Sequence, residues 1–491
     1  MKKYIIIAIL GLVSWSCDDM EFIQPDPPAL LTEEAAFQSI SGVQSVIASA
    51  YNRLINFNNY GQRMMIAPDA LADNLIIGQN TGRYTSEVVN AARAHINLMD
   101  DPSNPGGAAY SVRSTYSAYR AIGDCNLALY ALDVLDKRSE DPDLADILEG
   151  EAKFIRALSY FDLMRVYGYE PGNEVNGFDL GVVIRTEAVL GAAGADFRAR
   201  STNTEVYDLI ESDLTDAIAL LPAEADNASF PVRASSTAAQ ALRARMHLYL
   251  GNYAQAATDA DAVLGATTAI LVDGTNATDY EDSWSAATHP EAIFELAVSA
   301  NDWNTVDGVN NSLATVTRVS SASLPNSQGA VRASDELIAA FEGGDVRRNM
   351  YVEPSPGYYE CTKWNGELGD FRENIPIIRY SEVLLIAAEA KARNSNEPGA
   401  RTDLNNLRAN RGLGATALTG QALLDLIMNE RRVELALEGH RFFDLKRLGL
   451  DVPKPASLSV PTLLATDFRI LGDINNDYLT INSALVQNPG Y

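Results

Sequence analysis

The spacing of apolar residues between about positions 150 and 265 constrains this chain most, because it demands helices. In Glu151 to Gly168 (EAKFIRALSYFDLMRVYG), Phe154, Ala157, Leu158, Phe161 and Met164 fall three or four residues apart and the run stops at Gly168. That spacing gathers them on one face of an α-helix. Val206, Leu209, Ile210, Leu214, Ala217, Ile218 and Leu221 repeat the pattern, with Thr202 and Glu205 placed as a capping box and Pro222 as the stop. This part of the chain is built from amphipathic helices.

One helix pair reads as a repeat unit. Thr237 to Leu250 is a first helix, Gly251-Asn252-Tyr253 a tight turn, and Ala254 to Leu264 a second helix with small Ala256, Ala257 and Ala260 facing its partner. The G-N-Y-x-x-A spacing resembles the inter-helix turn of tetratricopeptide repeats, where small residues let paired helices approach closely. The Phe154 helix and the 203–221 helix form a candidate divergent copy, with long insertions masking any strict period.

From about Asp273 to Glu373 the helical pattern mostly fails and Asn, Ser, Gly, Asp and aromatics take over, as in the run from Asn301 to Asn311. A loop-rich stretch of this length in a compact protein is usually functional or disordered, and its aromatics argue against disorder. Trp284, Trp303 and Trp364 all fall here. Helices are expected to resume at Ile377 to Arg393, 400–411 and 419–448.

The N-terminus has a different character. Lys2 and Lys3, the apolar run Ile5 to Val13, and Ser14-Trp15-Ser16-Cys17 have the layout of a secretory signal, too short to span a bilayer. Residues 1–16 read as a lipoprotein signal peptide and Cys17 as an acylated N-terminus. Residues 17–31, with Pro25, Pro27 and Pro28, read as an extended tether. No later apolar run approaches transmembrane length.

At 491 residues and 47% hydrophobic, the chain can bury a large core or form two to three domains. Its formal charge of −27 argues against nucleic acid, whose phosphates need a basic face. Neutral or cationic ligands suit that field better than polyanions, although a local basic patch overrides the global sign. Cys125 and Cys361 lie far apart without metal spacing, which excludes a disulfide scaffold and leaves at most one bridge. Cys125, among Ala121, Ile122, Leu127 and Leu129, reads as a small buried hydrophobe. Only His95, His247, His289 and His440 occur, and no H-E-x-x-H, G-x-S-x-G or phosphate-cradling glycine loop is present. Asp473 to Asp477 has carboxylates like a calcium loop but no bidentate glutamate at the required distance, so it reads as a turn; no metal and no cofactor is assigned.

Four segments together resemble the SusD/RagB family of outer-membrane nutrient-binding lipoproteins. They are Glu151 to Ala157, Ile375 to Leu385 running on to Ala388-Glu389-Ala390, Leu404 to Arg408, and Asn429 to Ala436 through Glu438-Gly439-His440-Arg441-Phe442-Phe443-Asp444-Leu445-Lys446-Arg447. The last is the most specific. The resemblance implies a mostly α-helical protein in which tetratricopeptide-like helix pairs form a scaffold and a loop-rich remainder carries the ligand site. On that reading 32–272 is the N-terminal helical part, 273–373 the ligand-binding insertion and 374–491 the C-terminal signature helices and tail. It further implies a lipid anchor in the outer membrane, a surface-facing body, and a TonB-dependent SusC-like transporter to which captured oligosaccharide is delivered without catalysis. A peptide receptor of the same fold is the alternative, and a cell-surface glycoside hydrolase the alternative of another class.

Glu434, Glu438, His440 and Asp444 tempt a catalytic reading, but interleaved Glu and Arg on a helix favour i, i+4 ion pairs, and Arg379 with Glu389 invites the same structural reading. A glycosidase needs a carboxylate pair, which spacing alone does not identify. Sugar binding needs an aromatic face against the ring and polar side chains on its hydroxyls. Trp303 with Asn301, Trp284 with Tyr280, and Trp364 offer that mixture. Asp73 and Asn74, followed by a loop holding Arg83 and Tyr84, resemble a family region whose loops approach the ligand.

Overall fold

The computed structural model describes residues 37–56, 58–77, 115–190, 196–299, 312–321, 327–366, 372–458 and 461–491. The signal run, Cys17 and the tether lie outside them, as do Arg83, Tyr84, Asn301 and Trp303.

Helices α1 (Ile40–Ile55) and α2 (Arg63–Ala70) lead into strand β1 (Leu75–Ile77). Next come α3 (Thr115–Asp133), α4 (Pro142–Tyr167), α5 (Asn203–Leu220), α6 (Ser236–Tyr249) and α7 (Tyr253–Ala266). The middle segment holds α8 (Ala277–Ser283), β2 (Ala292–Leu296), α9 (Leu313–Thr317), β3 (Val331–Ala333), α10 (Asp335–Ala339), β4 (Tyr351–Ser355) and β5 (Tyr358–Cys361). Then follow β6 (Ile375–Arg379), α11 (Tyr380–Arg393), α12 (Glu397–Ala409), α13 (Gly420–Glu434), α14 (Arg441–Arg447) and α15 (Asn476–Ile481).

The fold is mostly helical, and the helices pack as a chain of neighbours: α1 on α3, α3 on α4, then α5, α6 and α7 in turn. α7 continues the row onto α11, which packs on α12 and α13. Local signals explain the start of α4 and α5. Asp141 caps α4 by accepting from Leu144 N at 3.1 Å, with Pro142 at the first position where a missing N–H costs nothing. Thr202 and Glu205 form the expected capping box on α5, at 3.2 Å and 2.8 Å. The α6–α7 turn falls where the sequence put it, with Gly251 at φ 70° and Ala256 and Ala260 buried.

Two expected helices differ from the structure. Residues 375–379 form β6, because Pro376 and three isoleucines suit a strand and β2 offers a partner, Leu296 facing Ile375 and Ala292 facing Arg379. The 419–448 run breaks after Glu434: Leu437 takes φ 63° and Gly439 φ 81°. A Cβ on Gly439 would lie 2.1 Å from Met64 O, so that position admits only glycine.

The middle segment is less bare of structure than its composition suggests. A four-stranded antiparallel sheet runs β1-β3-β5-β4, with Ile77 opposite Val331 and Leu75 opposite Ala333. One apolar core joins Leu54, Phe161, Leu242, Phe294, Trp364 and Phe442, drawing on helical and middle segments alike. A second cluster fills the α11–α12–α13 interface around Leu385, Leu404 and Ile427. Cys125 and Cys361 are buried free thiols, Cys361 pushed up to about 11 by burial. In the acidic 473–477 segment, Asn475 Oδ1 accepts from Asp477 N at 2.9 Å and starts α15.

Candidate functional site

Beneath the irregular middle segment lies a dehydrated network of charges. Arg379, at the end of β6, donates to Glu438 at 2.8 Å from both Nε and Nη2, and to Glu291 at 2.8 Å and Glu434 at 3.1 Å from Nη1. Arg411 joins the same two carboxylates, Glu291 at 2.7 Å and Glu434 at 2.9 Å. Arg347 reaches Glu430 at 2.6 Å and Glu434 at 3.2 Å. Lys363 donates to Glu438 at 2.7 Å and to the carbonyls of Glu434 and Ala436. The pairs are therefore tertiary, not the i, i+4 contacts expected along a helix. Glu389 does not meet Arg379 either; it takes Arg447 through both oxygens, at 2.9 Å and 2.6 Å. Burial would raise the Glu434 carboxyl, but Arg411 and Arg379 overcome it and hold it well below the usual range. Glu291 settles at about 2 by the same contest. His440 is kept neutral by burial and by Arg245 and Arg431. The carboxylates are committed to charge pairing, and His440 stays neutral beside them.

The aromatics expected to face a ligand are set into this network. Tyr280 is fully buried beneath the Arg411 guanidinium, 4.7 Å from its ring centre. Trp284 is 6% exposed, with Lys363 and Arg379 over its ring at 4.9 Å and 5.1 Å. Trp364 is 1% exposed, meets Trp284 edge to face at 5.5 Å and donates to Leu437 O. A ring that stacks on sugar needs a free face, so the platform role of Tyr280, Trp284 and Trp364 is corrected to core packing. Arg411 covers Tyr280, and Lys363 and Arg379 cover Trp284, from positions distant in sequence.

Asp73 and Asn74 are likewise structural. Asp73 pairs with Arg441 at 2.9 Å and Arg432 at 3.0 Å, while Asn74 donates to Asp69 at 2.6 Å and accepts from Arg432 at 2.8 Å. The Asp73 carbonyl takes the Ser334 hydroxyl at 2.6 Å, which ties the start of β1 to the end of β3. The antiparallel register brings the exit of β1 at Ile77 beside the entry of β3 at Val331, and α9 packs on β3. Gln62 donates to Ser312 O at 3.1 Å just before α9. Ile77, at the end of β1, thus lies opposite Val331, at the start of β3, on one end of the sheet.

The C-terminal residues 355–491 match the model of the SusD family, and residues 33–248 match a second model described as starch-binding, associating with outer membrane. The chain belongs to the SusD family. It is 26% identical to SusD-like protein P2 of Formosa agariphila over 541 aligned residues, covering all of both chains. Among solved structures it superposes on a SusD superfamily protein of Bacteroides thetaiotaomicron with TM-score 0.76 and 23% identity, covering 92% of this chain and all of that one. A laminarin-binding SusD-like protein aligns with TM-score 0.71 and 22% identity over 92% of this chain and 99% of that one.

In this SusD-family chain two buried carboxylates have raised pKa values and share a pocket. Burial pushes Glu373 up to about 7 although Ala314 N and Gly366 N donate to it at 3.1 Å and 2.6 Å, and burial raises Glu295 beside Asn374. The pocket between them has about 20 Å³, room for a water molecule and not for a sugar ring. Sequence reasoning missed Glu291, Glu295, Arg347 and Glu373. The signal was there in Pro290-Glu291-Ala292-Ile293-Phe294-Glu295-Leu296, where carboxylates interrupt an apolar strand and so require buried partners. Among the described residues no group of three or more His, Cys, Asp or Glu is arranged to hold a metal ion, and no helix is long and apolar enough to cross a membrane.

Proposed function

We propose that this protein is a lipid-anchored, non-catalytic receptor on the outer membrane that captures oligosaccharide and hands it to a TonB-dependent SusC-like transporter. The observation that carries the reading is the match of 33–248 and 355–491 to two SusD-family models, one of them described as starch-binding, on a fold whose described tryptophans and buried network carboxylates are committed to packing and charge pairs. Arg83, Tyr84, Asn301 and Trp303, outside the described residues, are the remaining candidates for ring stacking and hydroxyl contact. The names of the relatives support a glycan, since one solved relative is called laminarin-binding and one matching model starch-binding. Cys17 is the proposed anchor.

A peptide receptor is less favoured. β4 lies at the sheet edge with Val352 to Ser355 exposed, but Pro354 lacks the N–H that a docking strand would use.

Binding of laminarin, starch and a peptide library to the mature protein tests the reading. Glycan binding is expected in the range of about −4 to −8 kcal/mol, with no release of reducing ends. Trp303→Ala is expected to weaken it while leaving the melting temperature nearly unchanged. Peptide binding without glycan binding, or turnover by pure protein, would replace the reading.

A further inference from the structure

A separate cleft opens on the opposite kind of chemistry. It has about 310 Å³ and lies between α3, the 181–185 segment and the C-terminal tail. That volume is within the range of small-ligand pockets. Tyr119, Val183, Phe197, Tyr478, Ile481 and Leu485 give it an apolar wall. Phe197 and Ile481 are 56% and 64% exposed, so the wall continues onto an accessible rim.

The polar side chains nearby are already used by the fold. Tyr119 Oη donates to Val183 O at 2.9 Å, Asn482 Nδ2 to Arg198 O at 2.9 Å, and Asn475 Oδ1 accepts from Asp477 N. A sugar needs free donors and acceptors for its hydroxyls, and these residues do not offer them. Charge is the other half of the argument. Arg200 gives its donors to the carbonyls of Gly181, Val486, Tyr167 and Leu180 and to Asn488 Oδ1, with no carboxylate partner. Burial lowers it to about 10. Among the described residues the Arg185 guanidinium donates to the Asp196 carbonyl, and the neighbouring carboxylates of Asp196 and Glu187 are held by Arg198. The cleft wall is therefore locally cationic on a chain of net charge −27.

We propose that this cleft binds a small amphipathic anion, an acyl or aryl monocarboxylate, with its apolar body between Tyr119, Phe197 and Tyr478 and its carboxylate at Arg185. Among the described residues only the Asp196 carbonyl takes a bond from the Arg185 guanidinium, which leaves donors for a bidentate contact. Arg200 adds field without direct contact and holds the tail residues Val486 and Asn488 that support one wall.

Titration of the full mature chain with decanoate, 1-decanol and decyltrimethylammonium below their micelle concentrations tests this, read by calorimetry. Decanoate is expected to bind saturably and at least about tenfold more tightly than either of the others, a difference of about 1.4 kcal/mol. Arg185→Glu and, separately, Ile481→Asp are each expected to cut decanoate affinity at least about tenfold while laminarin binding stays as in the parent. Both side chains lie at the rim, so unchanged melting temperatures will certify the variants. No saturable decanoate binding, equal affinity for the cationic probe, or parental affinity in both variants would overturn the proposal. Because laminarin is read in the same samples, failure here is distinct from failure of the glycan reading.

Discussion

The helical row from Pro142 to Ala266 and the middle segment from Asp273 to Arg379 are held by opposite means. In the first, each helix presents an apolar stripe and its neighbour in sequence covers it, as Phe161 on α4 and Tyr207 on α5 do at 6.5 Å. In the second, short strands and turns cannot offer a continuous stripe. They are tied down by guanidiniums whose partners are far away in sequence: Arg379 to Glu291 across 88 positions, Arg411 to Glu291 across 120, Arg347 to Glu434 across 87. A guanidinium has five donors in a rigid fork, so one side chain can fix several irregular segments at once. The irregular backbone is thus held largely by long-range charge pairs, and the helical row, although it has a buried Arg156–Asp213 pair, largely by apolar area buried.

The largest test of that contrast removes a hub. Arg379→Met keeps most of the volume but leaves Glu291, Glu434 and Glu438 short of a buried counter-charge, and a loss of about 3–5 kcal/mol is expected in urea unfolding. A loss below about 1 kcal/mol would show that the network is replaceable and that the middle segment is held by packing after all.

Proton linkage sharpens the same contrast, because the two kinds of buried carboxylate respond to pH with opposite signs. Glu291, held at about 2, contributes stability that is present above its ordinary 4.5 and is lost as pH falls toward 2. Glu373, raised from 4.5 to about 7, favours its protonated form when folded; its contribution is full below 4.5 and is lost as pH rises through 7. Over that window the loss amounts to about 3 kcal/mol. Glu373→Gln is expected to remove that part of the slope between pH 4.5 and 7, read as melting temperature against pH. A variant with the parental slope would show that Glu373 is not the titrating group.

How much of this was legible follows from the range of each interaction. The capping box at Thr202 and the turn at Gly251 depend on residues within four positions, and the sequence displays them. The C-terminal signature marked the family, yet its Glu434 and Glu438 meet Arg347, Lys363, Arg379 and Arg411, which no local spacing pairs with them. For the same reason the partners of Trp284 and Trp364 were not legible: Lys363 and Arg379 cover Trp284, and Trp364 packs on Trp284 and donates to Leu437 O. Asp73 and Asn74 lay in the region the family resemblance indicated, but they anchor the loop's root to Arg432 and Arg441 instead of facing outward.

The smallest expected effect belongs to the helical row and uses its most local signal. Thr202 Oγ1 accepts from Glu205 N at 3.2 Å and Glu205 Oε2 accepts from Thr202 N at 2.8 Å, so two backbone donors that the α5 start leaves unpaired are satisfied reciprocally. Thr202→Ala removes one of the two bonds at a half-exposed site where water can replace it. The expected cost is about 1 kcal/mol, with Thr202→Ser restoring nearly all of it. Since α5 also buries Val206, Ile210, Leu214 and Ala217 against α4 and α6, the helix itself should persist, visible as unchanged far-ultraviolet dichroism. A cost matching that of Arg379→Met would mean that the row, like the middle segment, hangs on single polar contacts, and the contrast between the two regions would fail.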